Sequence, residues 1–332
     1  MTEARRLVAG GDGTVGVERT DDTARCWPAL DYPDWRDTAA TLQLWTQIVG
    51  KVRLALSPWL NHGWQVPLYV NARGLGTSTI HAGRSIFEID FDLVDHRLSI
   101  RTPDVLDRGF DLEPMSVATF YRRFMKELGG AGIDVTIDVS PNEVSDPIRF
   151  PEDELHSSYD AAAVNAFWRA LVQADRVFRL FRTGFLGKAS PVHFFWGSFD
   201  LAVTRFSGRA APLHPGGVPG LPDAVTREAY SHEVSSAGFW PGNDQHPHAT
   251  FFSYAYPTPK GFAQATIEPA GATWSAEMGE WLLAYDAVRT AADPDSALLS
   301  FLQATYRAAA DLANWDRGLE CAIGVPRRPR PV

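Results

Sequence analysis

The chain has 332 residues, of which 45% are hydrophobic and 12% aromatic, enough to fill a sizeable core in one large domain or two ordinary ones. Lys and Arg number 31 against 40 Asp and Glu, so the net charge is −9, which argues against a surface that wraps duplex nucleic acid or binds an anionic membrane. No run of 18 apolar residues occurs, and we therefore expect neither a nucleic-acid partner nor a membrane-spanning segment.

Residues 1–25 are polar and rich in glycine without hydrophobic periodicity, and we predict a disordered tail there. They contain no apolar stretch of the kind a secretory signal needs. The two cysteines, Cys26 and Cys321, lie near opposite ends of the chain and form no short-spaced pair. This cysteine usage is typical of a reduced, cytoplasmic protein without a disulfide framework.

Apolar residues recur at helical spacing in five segments of the chain. Ser116 is the predicted N-cap of the second helix, and Asp293 caps the fifth with Pro294 at its first helical position. The five predicted helices cover residues 42–56, 117–128, 164–181, 274–288 and 298–309.

Strand patterns lie between these helices. The segment "DVTIDV" at 134–139 alternates apolar and polar residues, which predicts a half-buried strand. The segment "SIFEIDFDLVDHRLSIRT" predicts a hairpin that turns at Asp95 and His96. In the predicted register Phe91 lies opposite Ile100, and Asp90 lies opposite Arg101, so apolar meets apolar and acid meets base.

Antiparallel strands covered by helices predict an α+β fold. The resemblance of "TIHAGR" at 79–84 to "TRFSGR" at 204–209 suggests two similar halves, each in the order helix, strands, helix. The predicted first half spans 26–150 and the second half 151–320, followed by a basic, proline-rich tail at 321–332.

The segment "YSHEVSSAGFWPG" at 230–242 breaks the strand pattern, because its polar residues occupy both faces of a predicted strand. Places where a pattern rule fails are disproportionately functional. We therefore predict a small-molecule site around this strand in the second half of the chain.

Histidines in this half suggest a metal site. His193, His214 and His232 form a chemically reasonable ligand set for zinc, manganese or iron(II), although their spacing matches no short metal motif. The alternative is that these histidines form only local hydrogen bonds. A divalent metal is thus a possible cofactor.

Acid–base chemistry is the second expectation for this site. Glu233 is the predicted proton shuttle, with His232 and Asp200 as further catalytic residues, because desolvation among aromatic side chains raises a carboxyl pKa. As one continuous strand, "HFFWGSFDLAV" would place His193 and Asp200 on opposite faces. Aromatic side chains beside polar residues and turns suit a concave pocket. The predicted ligand-binding residues are His193, Trp196, Trp240 and Tyr254.

Four long segments resemble a family of conserved bacterial proteins that share a domain of unknown function. The resemblance runs from about Trp35 to Trp281 and implies a cytoplasmic bacterial protein without a known substrate, cofactor or catalytic residue. The segments are "LWTQIVGKVRLALSPWLNHGWQVPLYVNARGL", "FEIDFDLVDHRL", "VHFFWGSFDLAVTRFSGR" and "EAYSHEVSSAGFWPG".

The leading functional hypothesis from the sequence is a pocket that supports metal-assisted or acid–base hydrolysis of a small molecule. A non-catalytic module that uses the same aromatic pocket to bind a ligand is the second hypothesis. An interaction scaffold is the third, and it predicts an exposed apolar patch in place of a cavity.

Overall fold

The structure is a computed structural model that describes residues 27–104 and 108–324. The predicted N-terminal tail, Cys26 and the last eight residues of the C-terminal tail lie outside these ranges. Within them the chain forms helices and two antiparallel sheets, which confirms the predicted α+β class. No helix of the described chain is both long enough and apolar enough to cross a membrane.

Two helices begin at the capping side chains that the sequence predicts. The Ser116 hydroxyl accepts a hydrogen bond from the backbone N–H of Thr119, and the Asp293 carboxylate accepts one from Ser296, with Pro294 in the first turn, as predicted. The helices are α1 (Tyr32–Leu56), α2 (Val117–Gly130), α3 (Ala161–Arg182), α4 (Asp223–Ala229), α5 (Tyr285–Arg289) and α6 (Pro294–Leu312).

The first sheet follows α1 in the chain. Its strands pair in the order β1-β2-β4-β5-β6, and β3 pairs with β4 as well. The strands are β1 (Tyr69–Val70), β2 (Gly74–Gly76), β3 (Ile80–Ala82), β4 (Ser85–Asp92), β5 (Arg97–Arg101) and β6 (Arg108–Asp111).

The β4–β5 hairpin exists, but its predicted register is wrong by two residues. Phe91 lies opposite Leu98, because the turn contains four residues, 93–96, where the sequence analysis predicts two. The Asp92 carboxylate accepts hydrogen bonds from the backbone N–H groups of Val94 and Asp95, which stabilises this longer turn. A shift of two residues preserves the buried face. Arg101 therefore still pairs with acids of β4.

The second sheet lies between α3 and α6 in the chain. Its strand order is β11-β12-β10-β9-β8-β7, all antiparallel. The strands are β7 (His193–Phe195), β8 (Asp200–Ala210), β9 (His232–Trp240), β10 (Thr250–Tyr256), β11 (Thr273–Ser275) and β12 (Glu280–Ala284).

Strand β9 is the segment whose pattern lacked an apolar face. It pairs with β8 on one side and with β10 on the other, and residues 234–239 are all buried. A central strand covered on both faces needs no solvent-facing polar side. Small residues such as Ser236 and Gly238 lie on one face, and Phe239 contributes to the core on the other.

Two of the predicted elements are absent from the structure. The predicted helix at 274–288 is a β11–β12 hairpin followed by the short α5, and Trp274 lies directly opposite Trp281 across the hairpin. The segment 134–139 belongs to no strand. It lies beside α1, where the Asp138 carboxylate is 3.5 Å from the Lys51 ammonium.

The two predicted halves are in direct contact. The backbone of Leu68, before β1, exchanges both hydrogen bonds with Phe194 of β7. On α1, Trp35 packs its ring 5.0 Å from that of Phe167 on α3, and the Gln43 amide donates to the Gly197 carbonyl. The order helix, strands, helix does occur twice, whereas the two sheets differ in strand order. A duplication therefore stays a prediction.

Candidate functional site

A cavity of about 1350 Å³ lies against one face of the second sheet. The opposite face, which we call the core face, carries Phe194, Leu201 and Phe239 and packs toward α3 and α6. The cavity face carries His193, Asp200 and every second residue along parts of β7, β8, β9, β10 and β12. Helix α1, the loop around Trp64, the segment 136–145, α4 and the loop 242–248 supply the remaining walls. The volume exceeds that of an ordinary small-ligand pocket.

The β7–β8 hairpin brings His193 and Asp200 to the same face. The sequence analysis places them on opposite faces of one strand, and this is wrong because residues 196–199 form a turn. His193 lies opposite Ala202, and Phe195 lies opposite Asp200. Cross-strand partners share a face of the sheet. Both side chains therefore line the cavity.

Three carboxyl groups dominate the electrostatics of the cavity, and we call them the cavity carboxyls: Glu143, Asp200 and Glu280. Burial raises the pKa of Asp200 to about 6, although the Ser198 hydroxyl donates a hydrogen bond to its carboxylate. Desolvation at the cavity wall, and then the negative charge of Asp200, raise the pKa of Glu143 and that of Glu280 to about 7. Among the described residues, no Lys or Arg forms an ion pair with any of the three.

Glu143 is held in place from several sides. The Gln47 side chain of α1 donates to the Asn142 carbonyl and accepts from the Asn142 N–H, both at 2.8 Å. The Asn142 side chain donates to the carbonyl of Gly220. The Glu143 carboxylate also lies close to Gly197. A Cβ atom added at Gly197 would be 2.1 Å from Oε1 of Glu143. These contacts fix the backbone next to Glu143 before any ligand binds.

Left-handed backbone conformations also mark the cavity wall. His62, Glu143 and Phe199 line it with φ angles of 63°, 55° and 61°. For residues with a Cβ this region of φ and ψ is sparsely populated, and such strain tends to concentrate at functional sites.

Two tyrosines lie next to the cavity carboxyls. The Tyr230 hydroxyl donates to that of Tyr254 at 3.0 Å. Burial raises the pKa of both tyrosines, that of Tyr254 well above its usual value, and the charge of Glu280 raises both further. Both phenols are therefore neutral at physiological pH and present hydroxyl groups to the cavity.

His193 is a buried, neutral imidazole on the cavity face. Burial lowers its pKa to about 3, and the positive charge of Arg53 adds to this effect. Its Nδ1 has no hydrogen-bond partner among the described residues. Nearby, the Trp196 indole donates to the Val66 carbonyl and packs against Gly50, where a Cβ would approach the ring to 2.2 Å.

Five residues predicted from the sequence line the cavity: Asp200, His193, Trp196, Trp240 and Tyr254. The other three predicted residues, His214, His232 and Glu233, do not line it. The Glu233 carboxylate accepts hydrogen bonds from Ser207 and Arg209, at 2.8 and 2.7 Å. His232 contacts Ser231 and His62, and His214 stacks on Tyr230.

The three histidines predicted as metal ligands are not brought together. No hydrogen bond or ring contact joins His193, His214 and His232 in the described chain. Across the described ranges, no group of three His, Cys, Asp or Glu side chains is arranged to hold a metal ion. The geometry therefore gives the predicted metal set no support.

The sequence analysis missed Glu143, Glu280 and Tyr230 as site residues. Glu280 lies in the segment wrongly predicted as a helix, so its position on a sheet face was hidden. Glu143 follows a proline in a polar loop, and no local pattern distinguishes it from an ordinary surface acid.

The chain was compared with families, curated proteins and solved structures. The family described as "Family of unknown function (DUF5996)" matches residues 27–321. No curated protein and no solved structure matches the chain. The match covers all the helices and strands described above, including those that build the cavity. The chain belongs to this family of unknown function.

Proposed function

We propose that the protein binds a small organic molecule in the cavity, and that the cavity carboxyls transfer protons to and from it as in an acid–base hydrolase. One observation carries the proposal: three carboxyls with pKa values of about 6 to 7 face one large cavity without a paired cation in the described chain. Groups that titrate near neutral pH are effective general acids and bases.

The pKa values suggest a division of roles. Asp200 has the lowest of the three pKa values, so between pH 6 and 7 a larger fraction of Asp200 than of Glu143 or Glu280 is ionised. Asp200 would then act as the base and one of the glutamates as the acid, since environments that separate the pKa values of neighbouring carboxyls separate their roles. This assigns to Asp200 the proton-shuttle role that the sequence analysis gave to Glu233.

Non-catalytic binding of a small molecule is the second candidate. The aromatic side chains Trp59, Trp64 and Trp240 line the cavity and would bind an organic ligand whether or not a reaction follows. An interaction scaffold without a cavity is not favoured, because the cavity exists.

A thermal-shift screen of small organic molecules, followed by mass spectrometry of each ligand after incubation, tests the proposal. We expect ligands that raise the melting temperature, and chemical change of at least one of them. Asp200→Asn should lower the turnover about a hundredfold or more. Glu127→Gln is the matched control, because Glu127 lies on α2 outside the cavity and pairs with Arg108 of β6.

Binding without chemical change would favour the second candidate, and the absence of any ligand would overturn the proposal. Two further measurements test the sequence-based assignments. If Asp200 is the proton shuttle, the turnover of Glu233→Gln should be nearly the same as that of the wild-type protein. Metal analysis of protein purified without chelator, beside His232→Ala, tests the predicted histidine ligands.

A further inference from the structure

We propose that the ligand of the cavity carries a protonated primary amine, which the cavity carboxyls bind. This inference rests on the proposed small-molecule site and specifies its ligand class. It follows from the charges of the cavity wall, from its aromatic side chains and from an unpartnered buried imidazole.

The charges of the cavity wall do not balance. Lys51 is the one Lys or Arg among the described residues that line it, and its ammonium already lies 3.5 Å from the Asp138 carboxylate. Asp244 lies 3.9 Å from Arg36 at the mouth. The cavity carboxyls are left without a cation. A carboxylate removed from water without a partner is unfavourable, and a bound cation would restore the balance.

Asp200 is the centre of this uncompensated charge. Its side chain is buried, with 8% of the residue exposed, and it lies across from Phe195 in the β7–β8 hairpin. Its charge acts on Glu143 from the segment 136–145 and on Glu280 from β12. The uncompensated charge of the cavity therefore comes from three separate parts of the chain.

Aromatic rings surround the same space. Phe252 and Tyr254 lie on the cavity face of β10, and Trp240 lies at the end of β9. The faces of such rings attract ammonium groups, most strongly where water is excluded. Carboxylates together with aromatic faces favour an organic cation over a neutral or anionic ligand.

His193 is a further polar group on the wall of the cavity. The residue is 1% exposed and lines the cavity, yet its Nδ1 has no hydrogen-bond partner in the described chain. Buried polar atoms are nearly always hydrogen-bonded in native proteins. Because the ring is neutral, one nitrogen is free to accept a hydrogen bond without repelling a cation.

Matched sets of small molecules test the inference by isothermal titration calorimetry at about pH 8, where the cavity carboxyls are ionised. Each set contains an amine, an alcohol and a carboxylate on one skeleton, for example phenethylamine, phenethyl alcohol and phenylacetate, with indolylethyl, cyclohexylethyl and butyl sets beside it. We expect at least one amine to bind about tenfold or more tightly than its alcohol, and the carboxylates to bind most weakly.

Asp200→Asn should remove most of this preference, and Glu280→Gln serves as the second variant if the first folds poorly. Glu127→Gln should keep it. If alcohols or carboxylates bind as tightly as amines, the cation inference is wrong while the small-molecule site stands. If no amine of the panel binds, the inference is overturned, and the library screen then decides whether the cavity binds any ligand.

Discussion

Asp200 is a single side chain whose burial opposes folding. Its pKa rises from 3.8 to about 6 because the folded chain buries the carboxyl without a cation. The folded protein therefore holds more protons than the unfolded chain between about pH 4 and 6, so stability falls as the pH rises through that window and stays reduced above it. Protein stability is commonly lowered in this way at functional sites.

At the residue scale we predict that Asp200→Asn stabilises the protein at pH 8 and not at pH 4. The pKa rise, in which the hydrogen bond from Ser198 is already included, corresponds to about 3 kcal/mol, so we expect a gain of about 2 to 3 kcal/mol in the free energy of unfolding. Urea unfolding at both pH values measures it. Equal or lower stability of the variant at pH 8 would contradict the description of Asp200 as an uncompensated charge.

A second residue-scale prediction concerns the position of Glu143. Gly197→Ala would place a methyl group 2.1 Å from its Oε1, so the carboxylate must move. Because the end of a flexible side chain yields easily, we expect the free energy of unfolding to change by less than about 1 kcal/mol. Amine affinity should nevertheless fall several-fold. Gly129→Ala, on a helix with open space around it, is the control. Unchanged affinity would show that Glu143 does not take part in binding.

Single residues also show the limit of local sequence patterns. Asp200 and His193 were identified as site residues because they lie in a strand-like segment rich in aromatic side chains. Glu143 was not, since its role depends on contacts with Gln47, Gly197 and Gly220, which are distant in sequence. No local pattern records such contacts.

At the scale of elements, the capped helices were predictable, whereas the faces of the β7–β8 and β11–β12 hairpins were not. Trp274 and Trp281 are seven residues apart, a spacing that places two side chains on one side of a helix. In the β11–β12 hairpin they are cross-strand partners, with ring centroids 5.8 Å apart. Two tryptophans at this spacing can therefore lie side by side in a helix or in a hairpin, and the helix predicted from the sequence is wrong.

The packing of α1 against the β7–β8 hairpin yields the third prediction. A Cβ at Gly50 would approach the Trp196 indole to 2.2 Å, and this ring is fixed by its hydrogen bond to the Val66 carbonyl. Gly50→Ala should therefore lower the free energy of unfolding by about 2 to 3 kcal/mol. Urea unfolding beside Gly129→Ala measures the effect. If the two variants are equally stable, Trp196 is not the rigid wall we describe.

At the scale of the whole molecule, the cavity depends on both predicted halves. The second sheet supplies its floor, whereas α1 and the segment 136–145 supply a large part of its cover. The sequence analysis assigned the site to the second half alone. Contacts between the halves, such as that between Gln43 and Gly197, follow from the arrangement of elements and have no local signal in the sequence.

We therefore predict that the second half does not fold alone. A fragment of residues 151–324 lacks α1 and would expose the apolar residues of the cavity face, among them Ala202, Phe252 and Leu282. We expect it to aggregate or to unfold without a cooperative transition, as measured by size-exclusion chromatography and thermal melting. A soluble, cooperatively folded fragment would identify two independent domains.

The protonation of the cavity carboxyls is central to both the proposed chemistry and the proposed ligand. Proteins labelled with ¹³C at the side-chain carboxyls of Asp and Glu allow each group to be titrated by NMR, with Asp200→Asn, Glu143→Gln and Glu280→Gln to assign the signals. We predict that the three groups titrate at about pH 6 to 7 in the free protein and at lower pH when an amine is bound. Titration of all three near their ordinary pKa of about 4 would contradict the account.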